Sequence, residues 1–112
     1  MTEYLPDTWV IIKLKGAEPH YKVLGGWSGG YLDSDRWRMN SGITSVEVDM
    51  STYNFYGCSG SVYRCRIGSY GVRGIAAETW ERLKGMHGDK VELMPEDTDW
   101  VAMDWIIDKD AK

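Results

Sequence analysis

Hydrophobic and polar positions alternate along most of this chain, and helical spacing occurs in one place. Thr8 to Lys15 (TWVIIKLK) runs apolar from Trp9 to Ile12. It then sets Ile12 and Leu14 against Lys13 and Lys15, which predicts a strand. Residues 16–19 form a turn, and His20 to Leu24 (HYKVL) returns as the other arm of a hairpin, with Tyr21 and Val23 on one face and Lys22 on the other. Residues 25–35 read as a loop that opens with Gly25, Gly26, Gly29 and Gly30. Asp35 to Asn40 alternates again, Trp37 and Met39 against Arg36 and Arg38. Ile43 to Met50 follows after Ser41-Gly42, with Val46, Val48 and Met50 in phase and Glu47 and Asp49 opposed. The two segments are expected to pair as a hairpin, arginines facing acids across its polar side.

Tyr53 to Cys58 and Ser61 to Ile67 predict a third hairpin, with Tyr63, Cys65 and Ile67 toward the core. Ile75 to Met86 places Ala76, Trp80 and Leu83 on one helical stripe and Glu78 and Arg82 at a favourable i,i+4 spacing; Gly85 and Gly88 end the helix. Lys90 to Met94 is a short strand. Asp99 to Ile107 fits either period, and strand is preferred because it then closes a hairpin with 90–94. Residues 1–7 read as an irregular lead-in with a turn at Pro6-Asp7, and 108–112 as a fraying tail. The fold class is α+β: an antiparallel sheet of sequential hairpins, about six strands, with one helix packed on it and a curled or barrel-like sheet as the alternative. Residues 1–112 are expected to form a single domain.

Composition narrows the classes. The chain has six Trp and seven Tyr but one Phe, side chains suited to half-buried positions and interfaces. A net charge of −4 argues against general binding to nucleic acid or to an anionic membrane. The start, MTEYLPDT, is not a signal peptide, and no apolar run is long enough to span a bilayer. Together with only two cysteines this predicts a cytoplasmic protein with free thiols.

No reaction motif emerges. The stretch GGWSGG lacks both the spacing of a dinucleotide fingerprint and the Gly-Lys-Ser/Thr of a P-loop, and Asp33 and Asp35 follow it. Its bare backbone suits either a glycine-rich β corner or close contact between Trp27, Tyr31 and a partner. His20, His87, Cys58 and Cys65 do not have zinc-site spacing, and neither nucleophile motif, Gly-x-Ser-x-Gly or Cys-Gly-x-Cys-Trp, occurs. The expectation is no cofactor, no metal and no catalytic residue.

Two surfaces carry candidate binding residues. Residues 20–75 hold six basic and four acidic side chains, whereas residues 76–112 hold five basic and ten acidic. In the second region Glu96, Asp97, Asp99 and Asp104 surround Trp100 and Trp105. There the acids would steer a basic partner and the indoles would anchor it; a solubilising edge is the plainer use of the same acids. In the first region Trp27, Tyr31, Arg36, Trp37 and Arg38 could hold a small ligand or single-stranded nucleic acid by stacking and charge.

The residues YKVLGGWSGGYLDSDRWRMNSGI from Tyr21, with SGSVY from Ser59, resemble small proteins of tailed phages. That family carries no catalytic motif to transfer. The resemblance implies an accessory product in a bacterial-host cytosol, of a class that often blocks a host enzyme or defence complex. The leading expectation is therefore a non-enzymatic protein that binds a host protein, an acidic inhibitor of a defence or nucleic-acid-handling complex. Direct nucleic-acid binding ranks below it. The alternative is a ligand or single-strand binding module on the aromatic and arginine surface, and an enzyme ranks third.

Overall fold

The computed structural model describes residues 2–15, 20–27, 36–71, 75–103 and 105. Among these residues the fold is α+β, with eight strands in two four-stranded sheets and one α-helix. The strands are β1 (Glu3–Tyr4), β2 (Thr8–Leu14), β3 (His20–Trp27), β4 (Arg36–Met39), β5 (Ile43–Val48), β6 (Thr52–Gly57), β7 (Val62–Arg66) and β8 (Val91–Leu93), and the helix is α1 (Ile75–His87). One sheet has the order β1-β7-β6-β5 and the other β4-β3-β2-β8. Neither closes into a barrel, and the pairing is antiparallel except between β1 and β7.

The run WVII has its explanation in β2, which is covered on both faces. A strand so placed reads as continuous apolar sequence, whereas one with a wet face alternates. Trp9 and Ile11 join Tyr21 and Val23 of β3, and Ile43, Phe55, Tyr63 and Cys65 of the other sheet, in the main core. Val10 and Ile12 face the opposite way and meet Leu24, Val91 and the helical Trp80, with Leu83 packed alongside. The layers are therefore sheet, sheet and helix. The helix begins as expected and runs one residue past Met86. Gly85 lies inside it, and Gly88 ends it with a φ of 60°. Among the described residues the ion pair on its surface joins Lys84 to Glu81 at 3.1 Å and not Glu78 to Arg82.

The β2–β3 and β6–β7 hairpins form as predicted. Four other expectations are corrected. The segments 35–40 and 43–50 are not partners: β4 pairs with β3 and β5 with β6, in different sheets. The cause is Asn40. Its N–H donates to the Val23 carbonyl at 3.1 Å, and its Oδ1 accepts the Val23 N–H at 2.9 Å. The side chain thus replaces the backbone as the ladder's next partner, and the chain departs through Ser41-Gly42 to the other sheet.

Second, 90–94 does not pair with the described part of the expected strand, residues 99–103 and 105. β8 pairs with β2, and residues 99–102 form a turn; the rest of 99–107 lies outside the described residues. Third, Gly25, Gly26 and Trp27 belong to β3 and not to a loop. Fourth, residues 3–4 of the expected lead-in form a strand parallel to β7, and Pro6 is fully buried. Of the predicted inward face of β7, Tyr63 and Cys65 are in the core, whereas Ile67 lies beyond the strand end and is exposed. Both cysteines are free. Among the described residues no helix is long and apolar enough to cross a membrane.

A tyrosine completes the outer edge of β2. Trp9 bonds to the 69–71 segment through its N–H (to the Ser69 carbonyl, 3.3 Å) and its carbonyl (from the Gly71 N–H, 2.9 Å). Three residues on, β8 takes over the edge. In the gap, the Ile11 N–H donates to the Tyr70 hydroxyl at 3.3 Å, and that hydroxyl donates to the Met94 carbonyl. Burial pushes the Tyr70 phenol up to about 12, against the opposing effect of the Ile11 N–H.

Candidate functional site

The site is assembled around Gly25. A Cβ there would stand 2.9 Å from Pro6 Cβ and 3.1 Å from Pro6 Cγ, so only glycine lets the N-terminal segment lie on β3. The Asp7 N–H then donates to the Gly26 carbonyl at 2.9 Å, and the Trp27 indole N–H donates to the Leu5 carbonyl at 2.8 Å. These contacts carry Tyr4 and Leu5 over the end of β3. The Tyr4 ring meets Trp27 edge-on at 6.4 Å and Tyr63 at 4.9 Å.

The second wall comes from β4. Arg38 pairs with Gly25 and Trp37 with Gly26, so each large side chain stands opposite a glycine. Arg38 shares the face of Gly25, and its guanidinium carbon lies 4.6 Å from the centre of the Tyr4 ring, a cation–π contact. Trp37 has the other parity. β4 is the edge strand, however, so Trp37 lines the same cleft while remaining 42% exposed. The resulting cleft, ≈260 Å³, is bordered by Glu3, Tyr4, Leu5, Trp27, Trp37 and Arg38.

Its electrostatics are simple. Glu3 is engaged by Arg64 at 2.8 Å, and among the described residues no carboxylate pairs with Arg38. Burial pushes the neighbouring Tyr63 phenol up to about 12, and the positive charge of Arg38 works against that rise. The cleft therefore offers aromatic faces, one indole edge and one uncompensated cation. That arrangement can hold a flat ring bearing or adjoining negative charge.

Beyond the Arg38–Tyr4 pair the surface continues into a polar cavity of ≈730 Å³, which Lys22, Asn40, Ser41, Ser59 and Ser61 help to line. The serines are ordered. Ser41 Oγ accepts the Ser59 N–H at 3.1 Å and the Cys58 thiol at 3.2 Å, and it donates to Ser59 Oγ at 3.0 Å.

Of the residues singled out in the sequence, Trp27, Trp37 and Arg38 come together here. Tyr31, Asp104 and the side chain of Arg36 lie outside the described residues. The acidic surface loses its anchors. Trp100 is 2% and Trp105 5% exposed. They stack on each other at 6.1 Å and close the main core, Trp100 against Trp9 at 5.9 Å and Trp105 against Tyr21 at 5.2 Å. An indole sealed between two sheets cannot reach a partner, and the anchoring role expected of both is corrected. Glu96, Asp97 and Asp99 are exposed in the turns nearby, where Asp99 Oδ1 accepts the Ala102 N–H at 3.3 Å.

The sequence reading missed Tyr4, Leu5, Lys22, Asn40 and Ser59. An asparagine directly after an alternating strand and before Ser-Gly was the available signal for Asn40. Nothing local marks Tyr4, because its role depends on a parallel pairing with a strand some sixty residues away. Among the described residues no group of three or more His, Cys, Asp or Glu is placed to hold a metal. Compared with family models, with curated proteins and with solved structures, the chain matches none.

Proposed function

We propose that this protein is a non-enzymatic binding module whose aromatic–arginine cleft receives the flat ring of a small ligand or of an unpaired nucleobase. The observation that carries the reading is the convergence of Trp27, Trp37 and Arg38 with Tyr4 on one cleft, with Arg38 in no ion pair among the described residues and the cleft's Glu3 engaged by Arg64. At ≈260 Å³ the cleft lies just below the usual range of ligand pockets, roughly 300 Å³ upward, so it would take a single ring system and nothing larger. The context implied by the resemblance, an accessory product acting in a bacterial-host cytosol, belongs to the same proposal and rests on the residues quoted for it.

The test is tryptophan fluorescence of the whole chain titrated with nucleosides, nucleotides and short single-stranded oligonucleotides. A saturable change that disappears in Trp37→Ala supports the reading, since Trp37 is exposed and its loss spares the core. No response to any of them overturns it. Capture of a host protein that is lost when Glu96, Asp97 and Asp99 become amides, without a ligand response, would move the function to the acidic turns.

A further inference from the structure

The geometry points to an oxyanion site in the polar cavity beside the aromatic cleft, so that the ligand is a nucleoside phosphate. Its ring would lie on the Trp37 side and its phosphate beyond Arg38. This rests on the ring-binding reading and names its ligand class.

Three observations carry it. The first is Asn40. The residue is 3% exposed, and the Val23 N–H at 2.9 Å fixes Oδ1 as the acceptor, so the amide cannot be turned the other way. Its Nδ2 is buried with no hydrogen-bond partner. A buried N–H in that state is an unmet demand for an acceptor. The second is the space over Gly57. A Cβ at that position would stand 3.2 Å from Ser61 Oγ and 3.4 Å from both Asn40 Nδ2 and Ser41 Oγ. Gly57 has no positive φ, so backbone strain does not call for glycine; its missing side chain lets three polar atoms, Ser61 Oγ, Asn40 Nδ2 and Ser41 Oγ, converge closely over one point beside the cavity that all three residues line. The third is charge. Among the described residues no carboxylate lines the cavity, while Lys22 and Arg38 do, and neither has an ion-pair partner there.

The hydroxyls are already polarised for an anion. Ser41 Oγ accepts from Ser59 N–H and the Cys58 thiol and gives its proton to Ser59 Oγ. The hydroxyl proton of Ser59 is left to donate outward. Amide, hydroxyl, ammonium and guanidinium donors, with no acid among the described lining residues, match the acceptor-only surface of a phosphate. Arg38 lines both cavities, so it stands where a nucleotide's ring and phosphate join.

The experiment is a ¹⁵N NMR titration of the full chain with inorganic phosphate, a nucleoside, its monophosphate and a short single-stranded oligonucleotide. The expected result is that phosphate and monophosphate shift the Asn40 side-chain NH₂ signal, and that the monophosphate binds at least about ten-fold more tightly than the nucleoside, as one added charge-assisted contact would give. Lys22→Gln and Gly57→Ala should each remove that advantage and leave nucleoside binding unchanged. Lys22→Gln keeps the test decisive if Gly57→Ala disturbs folding. Equal affinity for nucleoside and monophosphate with an unmoved Asn40 signal overturns the phosphate site and leaves the ring cleft standing. An Asn40 shift with phosphate but no response to nucleoside does the reverse. Silence from all four ligands overturns both. A clear preference for the oligonucleotide over the monophosphate identifies the source as a single strand, and equal affinity identifies a free nucleotide; each supports the site.

Discussion

The indole N–H of Trp27 donates to the carbonyl of Leu5 at 2.8 Å, and through that bond the first residues of the chain become a wall of the binding cleft. The bond exists because Pro6 lies against a bare glycine. Gly25→Ala is expected to force the rigid proline ring off β3, at a cost of about 1–3 kcal/mol for overpacking. Urea denaturation measures that cost. The same variant should weaken ligand response at the cleft, because Tyr4 and Leu5 move with Pro6.

Tyr70 stands in for a strand residue at the gap between Trp9 and Ile12. Tyr70→Phe keeps the ring and strands two backbone groups, the Ile11 N–H and the Met94 carbonyl. The expected loss is about 1–3 kcal/mol, the cost of leaving buried polar groups unpaired. Amide hydrogen exchange should show the Ile11 N–H among those most accelerated.

The phenols of Tyr70 and Tyr63 also set an alkaline limit. Each is held up to about 12, chiefly by burial, so the fold favours their neutral forms. That contribution is whole below the ordinary tyrosine value of 10.0 and fades as pH rises through about 12. Tyrosinate absorbance followed against pH should show Tyr63 and Tyr70 titrating late, together with Tyr56, whose phenol is raised by its hydrogen bond with Glu47, and unfolding should accompany ionisation of the two buried rings.

At the other end of the scale, Asp49 organises the β5–β6 turn. Its carboxylate accepts the backbone N–H groups of Ser51 at 3.0 Å and Thr52 at 2.9 Å, the Thr52 hydroxyl at 2.9 Å and the Asn54 amide at 3.3 Å. These bonds, the Ser51 and Thr52 N–H first, hold the carboxyl well below the usual carboxylate range. The stabilisation is therefore present above that range and is lost only as pH falls far beneath it. A ¹³C NMR titration should find Asp49 still ionised at about pH 3, where ordinary aspartates are mostly protonated. Asp49→Ala should abolish that signal and loosen the turn.

The two buried tryptophans separate core from surface directly. Trp100→Ala or Trp105→Ala should each cost about 3–5 kcal/mol, as expected for emptying an aromatic site in a core. Glu96→Gln and Asp97→Asn, on the exposed turns, should change stability by no more than about 0.5 kcal/mol. Denaturation midpoints of the four variants provide the comparison.

These residues also show what a sequence discloses. Alternation reports which side chains share a face, and it placed Tyr21 with Val23, Tyr63 with Cys65, and Arg38 opposite Trp37. It does not report which strand lies alongside. The split of β4 and β5 between sheets turns on a single asparagine amide, and β8 prefers β2 over its nearer neighbour in sequence. Around Trp100 the acids were legible and the burial was not. Two indoles five residues apart on an irregular segment follow no period; their packing against Trp9 and Phe55 fixes them. At the cleft, Trp27, Trp37 and Arg38 stood out by residue type, whereas Tyr4 arrives through a pairing that only the folded chain creates.

The lid formed by Trp100 and Trp105 bears on the order of assembly. Trp9 and Phe55 come from the first half of the chain, yet both rest on an indole contributed near residue 100. During synthesis β1 to β7 emerge first, and the face their two sheets share stays unsealed until those indoles clear the ribosome. Contacts so distant in sequence close slowly. A released chain that stops before residue 100 should therefore remain protease-sensitive, and one that includes Trp100 and Trp105 should be resistant.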